Sequence, residues 1–294
     1  MDENNSNISS EIAFLSDTQA PIWIETVFLK NRQNKKATQL IFNELLIKKP
    51  TALFILGDIV SLGFSRRQWK TIDPYLEQLR KNNIEVNAIL GNHELMGRAR
   101  AGEKKFQQRF PEHVRTGYHR IIDSTAIILL NSNFSRMTQA EIQVQNNWYE
   151  NILPKLENDE QVKAIVVACH HSPYSNSLLV GSSVAVQKNF VPAFLKTKKG
   201  ALFISGHSHA FEYFKSEKKN FLIIGGGGGL HHPLSKTKKL IDEAPEYKPL
   251  FHYITMRING QNLEVISHQL NKTFTGFTND FTLNIPLEAP VNTQ

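Results

Sequence analysis

The 294-residue chain has one cysteine, Cys169, so no intramolecular disulfide framework can staple it. That fits a reducing compartment, and the expected location is the cytoplasm. No run approaches the roughly 18 apolar residues that a membrane span requires, and Met1 to Ser10 carry neither a hydrophobic segment nor a basic flank. Neither membrane insertion nor a signal peptide is therefore expected. Internal repeats and linkers are also missing, so residues 1–10 read as a flexible arm and 11–294 as a single domain. Basic and aromatic residues do not alternate in the way that stacks bases along a strand. The charge balance is 34 Lys+Arg against 27 Asp+Glu, a formal net charge of +7. Much of the excess sits in scattered runs such as Lys35-Lys36 and Lys236 to Lys239, which read as solvated faces that attract small anions. A nucleic-acid partner is permitted but not favoured, and nothing in the residues sets an oligomeric state.

What is present is a repeated design. The apolar run Leu53 to Leu56 has strand length and ends in Gly57-Asp58, which delivers a carboxylate to the carboxyl end of a buried parallel strand. Four more apolar runs end alike, in Ser16-Asp17-Thr18-Gln19, Gly91-Asn92-His93-Glu94, Cys169-His170-His171-Ser172-Pro173 and Gly206-His207-Ser208-His209. Ligands gather at such strand ends in open α/β sheets. Here every end carries Asp, Asn, Gln or His.

The elements between these ends indicate the fold. A strand at Ile12 to Leu15 is followed by a loop from Asp17 to Gln33 and a helix from Asn34 to Lys48, stopped by Pro50. A helix within Ser65 to Lys81 and a strand from Ile84 to Leu90 complete a β-α-β-α-β unit, the signature of a parallel sheet. Tyr118 to Ile122 and Thr125 to Asn131 predict a hairpin across Asp123-Ser124. Thr138 and Glu141 form a capping box for a helix running past Trp148 towards Pro154. Strands are expected at Val162 to Cys169 and Leu202 to Ser205, with a helix from Val184 to Lys198 between them. Antiparallel pieces follow at Phe211 to Phe214, Phe221 to Ile224, Phe251 to Ile258 and Leu263 to His268. The fold class is α/β of the mixed α+β kind, two packed sheets with helices outside.

Asp17, Asp58, Asn92, one histidine of the His170-His171 pair, His207 and His209 offer carboxylate, amide and imidazole donors. That mixture suits Mn, Fe or Zn better than Mg or Ca, which favour oxygen throughout. Six candidate ligands exceed the needs of one tetrahedral ion. Two ions roughly 3.5 to 4 Å apart, sharing a bridging carboxylate, would use them all. In this order the five motifs resemble those of the calcineurin-like metallophosphoesterases, over about residues 11 to 270. The resemblance implies a four-layer αββα sandwich of two mixed β-sheets flanked by helices, and two divalent metal ions. It also implies hydrolysis of a small phosphorylated substrate, a phosphomonoester or phosphodiester, by a metal-bound hydroxide. It makes Asp58 the bridging carboxylate, with Asp17 and His209 on the first ion. Asn92, a histidine of the pair and His207 fall on the second, and His93 becomes the general acid or charge stabiliser at the phosphate.

Two positions depart from the pattern. Gln19 stands where the family usually has histidine, a harder and weaker donor that still coordinates through its amide oxygen. Ser61 stands where Ser/Thr phosphatases have an Asp that orients the catalytic His and purple acid phosphatases have a ligating Tyr. His171-Ser172-Pro173 fits the family's His-x-Pro, which makes His171 the expected ligand and leaves His170 behind a ligand or facing substrate. Tyr174, Ser175 and Asn176 are read as packing. The run Gly225 to Gly229 lacks a following Lys-Ser/Thr and is read as a close backbone turn under the site, not a phosphate loop. Other readings are a nuclease or phosphoprotein phosphatase of the same superfamily, or a catalytically silent scaffold that binds a partner.

Overall fold

The computed structural model describes residues 10–21, 33–235, 237 and 240–288. The expected arm at 1–10, all but its last residue, and most of the loop expected to end at Gln33 lie outside that set. Strands β1 (Ile12–Leu15), β2 (Ala52–Ile55) and β3 (Glu85–Ala88) lie side by side and parallel. Of these, β1 and β2 are fully apolar because both of their faces are covered, one by the second sheet and one by helices, whereas β3 at the sheet edge begins with an exposed Glu85. Helices α1 (Asn34–Lys48) and α2 (Arg66–Lys81) form the crossovers. Ser65 caps α2 by accepting the Gln68 N–H, and Trp69, Ile72, Leu76 and Leu79 form its buried stripe. That spacing is the i, i+3, i+7 face of an amphipathic helix.

A further helix, α3 (Ala99–Gln107), was not legible in the sequence because it has no apolar stripe and buries only Gly102 and Phe106. The hairpin β4 (Tyr118–Ile122) and β5 (Thr125–Leu130) forms as predicted. Helix α4 (Gln139–Asn158) carries the capping box and runs on through Pro154. The helix expected at Val184 to Lys198 is instead two, α5 (Val184–Asn189) and α6 (Val191–Leu195), because Pro192 lacks an N–H and starts a new first turn.

Strands β6 (Ala164–Cys169), β7 (Gly200–Ser205), β8 (Phe211–Ser216) and β9 (Lys219–Ile224) complete the second sheet, ordered β4-β5-β6-β7-β9-β8. Within the expected antiparallel region, β9 pairs parallel with β7 while its hairpin partner β8 takes the edge. The more continuously apolar strand of the hairpin occupies the inner position. The first sheet is extended by β10 (His252–Asn259), β11 (Asn262–Leu270) and β12 (Phe277–Pro286) into the order β12-β11-β10-β1-β2-β3. Strand β12 escaped the sequence reading because its residues are mostly exposed and polar, as at a sheet edge.

The two sheets pack through Phe14, Phe54, Ile127, Val166, Ile204 and Ile254, and the Phe14 and Phe54 rings stack at 5.2 Å. Helices α1 to α3 cover the outer face of the first sheet through Phe42, Trp69 and Phe106. Helices α4 to α6 cover the second through Tyr149, Val186 and Phe194. The result is the four-layer αββα sandwich of two mixed sheets, and it aligns the carboxyl ends of β1, β2, β3, β5, β6 and β7 along one rim. Among the described residues no helix is long and apolar enough to cross a membrane.

Candidate metal centre

Each strand end leaves the sheet through a turn that the next strand end holds. Asp17, Asp58 and His207 have φ of 60°, 50° and 65°, a left-handed backbone that costs a non-glycine residue about 1–3 kcal/mol. Backbone bonds hold these turns: Asp17 N–H donates to Gly57 O at 3.1 Å, Gln19 N–H to Asp58 O at 3.0 Å and Gly206 N–H to His170 O at 3.0 Å. Gly57 (φ +90°) and Gly91 meet so closely that a Cβ on Gly91 would collide with the Asp58 carboxylate. The loops are thus drawn together until ligand-type atoms touch.

Two groups of donors result. Asp17, Asp58 and His209 each bring one ligand atom within 4.8 Å of the others, and so do His170, His171 and His207. In the first group Asp17 Oδ2 accepts the His207 N–H at 3.0 Å. Asp17 Oδ1 is buried, accepts no hydrogen bond and lies 3.4 Å from His209 Nε2. A buried carboxylate oxygen without a donor is costly unless a cation meets it. His209 Nδ1–H donates to Leu230 O at 2.6 Å, which aims Nε2 at Asp17. Gln19 is buried with its amide 3.1 Å from His209 Nε2. With the amide nitrogen turned to the carbonyls of Asp58 (2.7 Å) and Asp17 (3.3 Å), its oxygen faces that ring.

In the second group His170 is the ring wedged between neighbours. Its Nδ1–H donates to Leu56 O at 2.8 Å, while Nε2 lies 3.1 Å from Asn92 Oδ1 and 3.2 Å from Asp58 Oδ2. His171 stands one ring further out, its centroid 4.4 Å from that of His207, with Nδ1 at 2.8 Å from Ser132 Oγ. Asp58 lies between the groups, and its Oδ1 accepts the His93 N–H at 2.8 Å. His93 Nδ1–H donates to the carbonyl of Ser61 at 3.0 Å, so Nε2 points inward, 3.9 Å from Asp58 Oδ2. The orienting group that sequence comparison looks for in the side chain of residue 61 is here its backbone.

The electrostatics are those of a site built for positive charge. Burial by itself would raise the Asp58 pKa, but the surrounding imidazoles, His170 foremost, hold it well below the usual carboxylate range. Burial works against a charged His170 too, yet the Asp58 carboxylate prevails and raises it to about 9. Burial, then repulsion from His170, lowers His171 to about 3 and pushes His207 well down. Neutral imidazoles are the ligating form. Mixed oxygen and imidazole donors, paired with the bare Asp17 oxygen, therefore fit divalent metal ions.

Beside Asn92 and His171 opens a cavity of about 350 Å³, walled by Met96, Ser132, Phe134, Arg136 and Ser183. Its inner wall is the end of β5, a further strand end that the sequence reading passed over although Asn131-Ser132-Asn133 follows an apolar run there. Asn133 Nδ2 donates to Leu90 O at 2.9 Å and so ties the β5 end to the β3 end across the sandwich. Glu94, the last residue of Gly91-Asn92-His93-Glu94, is buried and accepts four backbone N–H groups: Asp58 at 2.9 Å, Ile59 at 2.8 Å, Val60 at 3.2 Å and Gly91 at 2.9 Å. Burial, together with the Asp58 charge, raises its pKa to about 7 against the pull of those donors. His232 stacks on His209 at 4.2 Å and accepts its N–H at 3.3 Å. Ser175 and Asn176 bind the Glu212 carboxylate, and Tyr174 packs edge-on to Phe221 at 4.8 Å. Gly225 to Gly229 pass beneath the site, with Gly227 N–H on Ser16 O and Gly229 N–H on Asp17 O. Arg98 lies over the Phe64 ring at 5.7 Å.

The family profile described as calcineurin-like phosphoesterase matches residues 10–211. No curated protein sequence matches the chain. Among solved structures the chain is similar to GAP50, the anchor in the inner membrane complex of Plasmodium, at 15% identity and a TM-score of 0.70, covering 96% of this chain and 90% of that one. It is equally similar to the purple acid phosphatase PPD1 of yellow lupin, Lupinus luteus, at 13% identity and a TM-score of 0.70, with 94% of this chain and 53% of that one covered. A dimetal phosphatase from Danio rerio aligns at 12% identity and a TM-score of 0.60, over 95% and 99% of the two chains. At such identities these likenesses establish the fold.

Proposed function

Because the chain belongs to the calcineurin-like phosphoesterase family, we propose that it hydrolyses a phosphomonoester or phosphodiester at a site holding two divalent ions. The observation that carries this reading is the pair of donor groups with Asp58 between them. Asp17, Gln19, Asp58 and His209 would hold one ion, and Asp58, Asn92, His207 and the histidine pair the other. From that pair His170 is the ring in contact with both Asp58 and Asn92, so we assign it the ligand position; His171, on the cavity wall, completes the group or meets substrate. Bound divalent ions would supply Lewis-acid polarisation of the phosphoryl group and lower the pKa of a water towards neutrality.

The residues of the chain do the rest. Asp58 sets the spacing of the two halves, its Oδ1 held by the His93 N–H. His93 offers Nε2 to the phosphate while Ser61 O fixes its ring, so a proton at Nε2 can pass to the departing alkoxide or remain as a charge beside the phosphoryl oxygens. A cytoplasmic location is in keeping with a single cysteine that forms no disulfide within the chain. The test is turnover of small monoesters, diesters, cyclic nucleotides, a phosphopeptide and single-stranded nucleic acid by the metal-reconstituted protein. Hydrolysis of a small ester is expected. The likeness to GAP50, an anchor, keeps a second reading, a fold retained to bind a partner. Metal-loaded protein inert towards every ester would favour that reading.

A further inference from the structure

The cavity lined by His171 and Asn92 opens directly beside the second donor group. Its volume of about 350 Å³ falls at the small end of ligand pockets, which span roughly 300–1,000 Å³. Three apolar side chains line it, Met96, Phe134 and Ala185, and the Phe134 ring is braced against Phe190 at 5.2 Å. One charged side chain lines it, Arg136, on the short 3-10 turn Phe134–Arg136.

That turn is anchored from behind by a different arginine. Arg115 donates to Arg136 O and is itself held by Glu103 and by Glu141 at 2.8 Å. The nearby acids are thereby taken up by Arg115. Among the described residues no carboxylate pairs with Arg136, which is exposed at the cavity. A guanidinium held on an anchored turn, with its donors unpaired, is suited to an anion brought by a ligand.

Building on the phosphoesterase reading, we propose that the substrate is a phosphate ester whose leaving group has a short apolar or aromatic body ending in a second anionic group. The body lies between Met96 and Phe134, and the distal anion meets Arg136. This separates the substrate from neutral alcohol esters and makes Arg136 a specificity-determining residue.

The test uses phosphonates, which are not hydrolysed, so it does not depend on turnover. Manganese-loaded protein is titrated calorimetrically, at one ionic strength, with phenylphosphonate, 4-carboxyphenylphosphonate, 1,4-phenylenediphosphonate and 4-(aminomethyl)phenylphosphonate. The two acid-bearing ligands should bind about tenfold tighter than phenylphosphonate, the size of one charge-assisted contact, and the aminomethyl ligand weakest. A larger gain for the diphosphonate than for the carboxylate would identify a second phosphate as the distal group, and the reverse a carboxylate. Arg136→Gln should bring the ratio of acid-bearing to plain ligand to about one, while Arg136→Lys keeps part of it. A wild-type ratio near one, a ratio unchanged in Arg136→Gln, or no binding of any phosphonate overturns the proposal. Phenyl phosphate and 4-carboxyphenyl phosphate, run alongside as substrates, separate the two readings. A preserved binding ratio without turnover of either ester removes the hydrolase and keeps the subsite, whereas turnover with a ratio of one does the opposite.

Discussion

Asp17, Asp58, His170 and His209 touch one another, Gln19 and Asn92, and each is also fixed by a main-chain partner: Leu56 O for His170, Leu230 O for His209, and the N–H groups of His207 and His93 for the two carboxylates. Around His171 they are side chains, Ser132 Oγ on the ring, with Phe134 braced by Phe190 and the Arg136 turn held by Arg115. The metal side is therefore positioned by the path of the backbone, and a neighbouring side chain can change without moving it. The cavity side depends on individual side chains and can be altered one residue at a time. A conserved reaction beside a variable leaving-group pocket is the expected outcome of such a division.

The comparison breaks first at Asp58, the member of one donor group that touches the other through His170. Asp58→Asn should strip the protein of both ions of the proposed pair, read by elemental analysis after metal loading and gel filtration. Wild-type content of both ions in that variant would end the two-ion reading.

Next in size is His93→Ala, which removes a side chain but no donor of either group. Metal content should persist while turnover drops about 10²- to 10⁴-fold. An alkyl ester should suffer far more than a nitrophenyl ester if His93 protonates the leaving oxygen. Equal losses would assign it to stabilising the phosphoryl charge.

Glu94→Ala probes the main-chain side directly, because four N–H groups lose their acceptor. Urea unfolding of the metal-free protein at about pH 8.5 or above, where Glu94 with its pKa of about 7 is ionised, should show a loss of about 3 kcal/mol or more, since a hydrogen bond to a charged group is worth about 1.5–3 kcal/mol. A change within error would mean that water replaces the carboxylate at no cost.

The smallest effect belongs to the side-chain wall. Ser132→Ala should leave the metal content intact and raise KM a few-fold by freeing the His171 ring, in line with about 1 kcal/mol for one neutral hydrogen bond. Loss of metal instead would make His171 a metal ligand that a side chain holds in place, and blur the contrast between the two sides.

What could be read from the chain alone was whatever depends on local order. Apolar runs of strand length gave β1, β2, β6 and β7, and their polar endings named Asp17, Gln19, Asp58, Asn92, His93, the histidine pair, His207 and His209. Period and capping gave α1, α2 and α4. Elements that bury little were illegible, such as α3 with one buried aromatic, Phe106, and the edge strand β12. Periodicity records only burial.

Tertiary structure alone decided which atoms meet. No spacing in the sequence tells that His170 rather than its neighbour touches both Asp58 and Asn92, because both histidines follow β6 directly and the choice depends on how the second sheet is set against the first. The same holds for Ser61, whose carbonyl and not its side chain orients His93, and for Glu94, whose four donors come from two separate loops. It holds too for the cavity beside Arg136, walled by the ends of β3, β5 and β6. Sequence order specifies which groups arrive at a strand end. The packing of two sheets face to face sets the distances between those ends, and chemistry depends on distances.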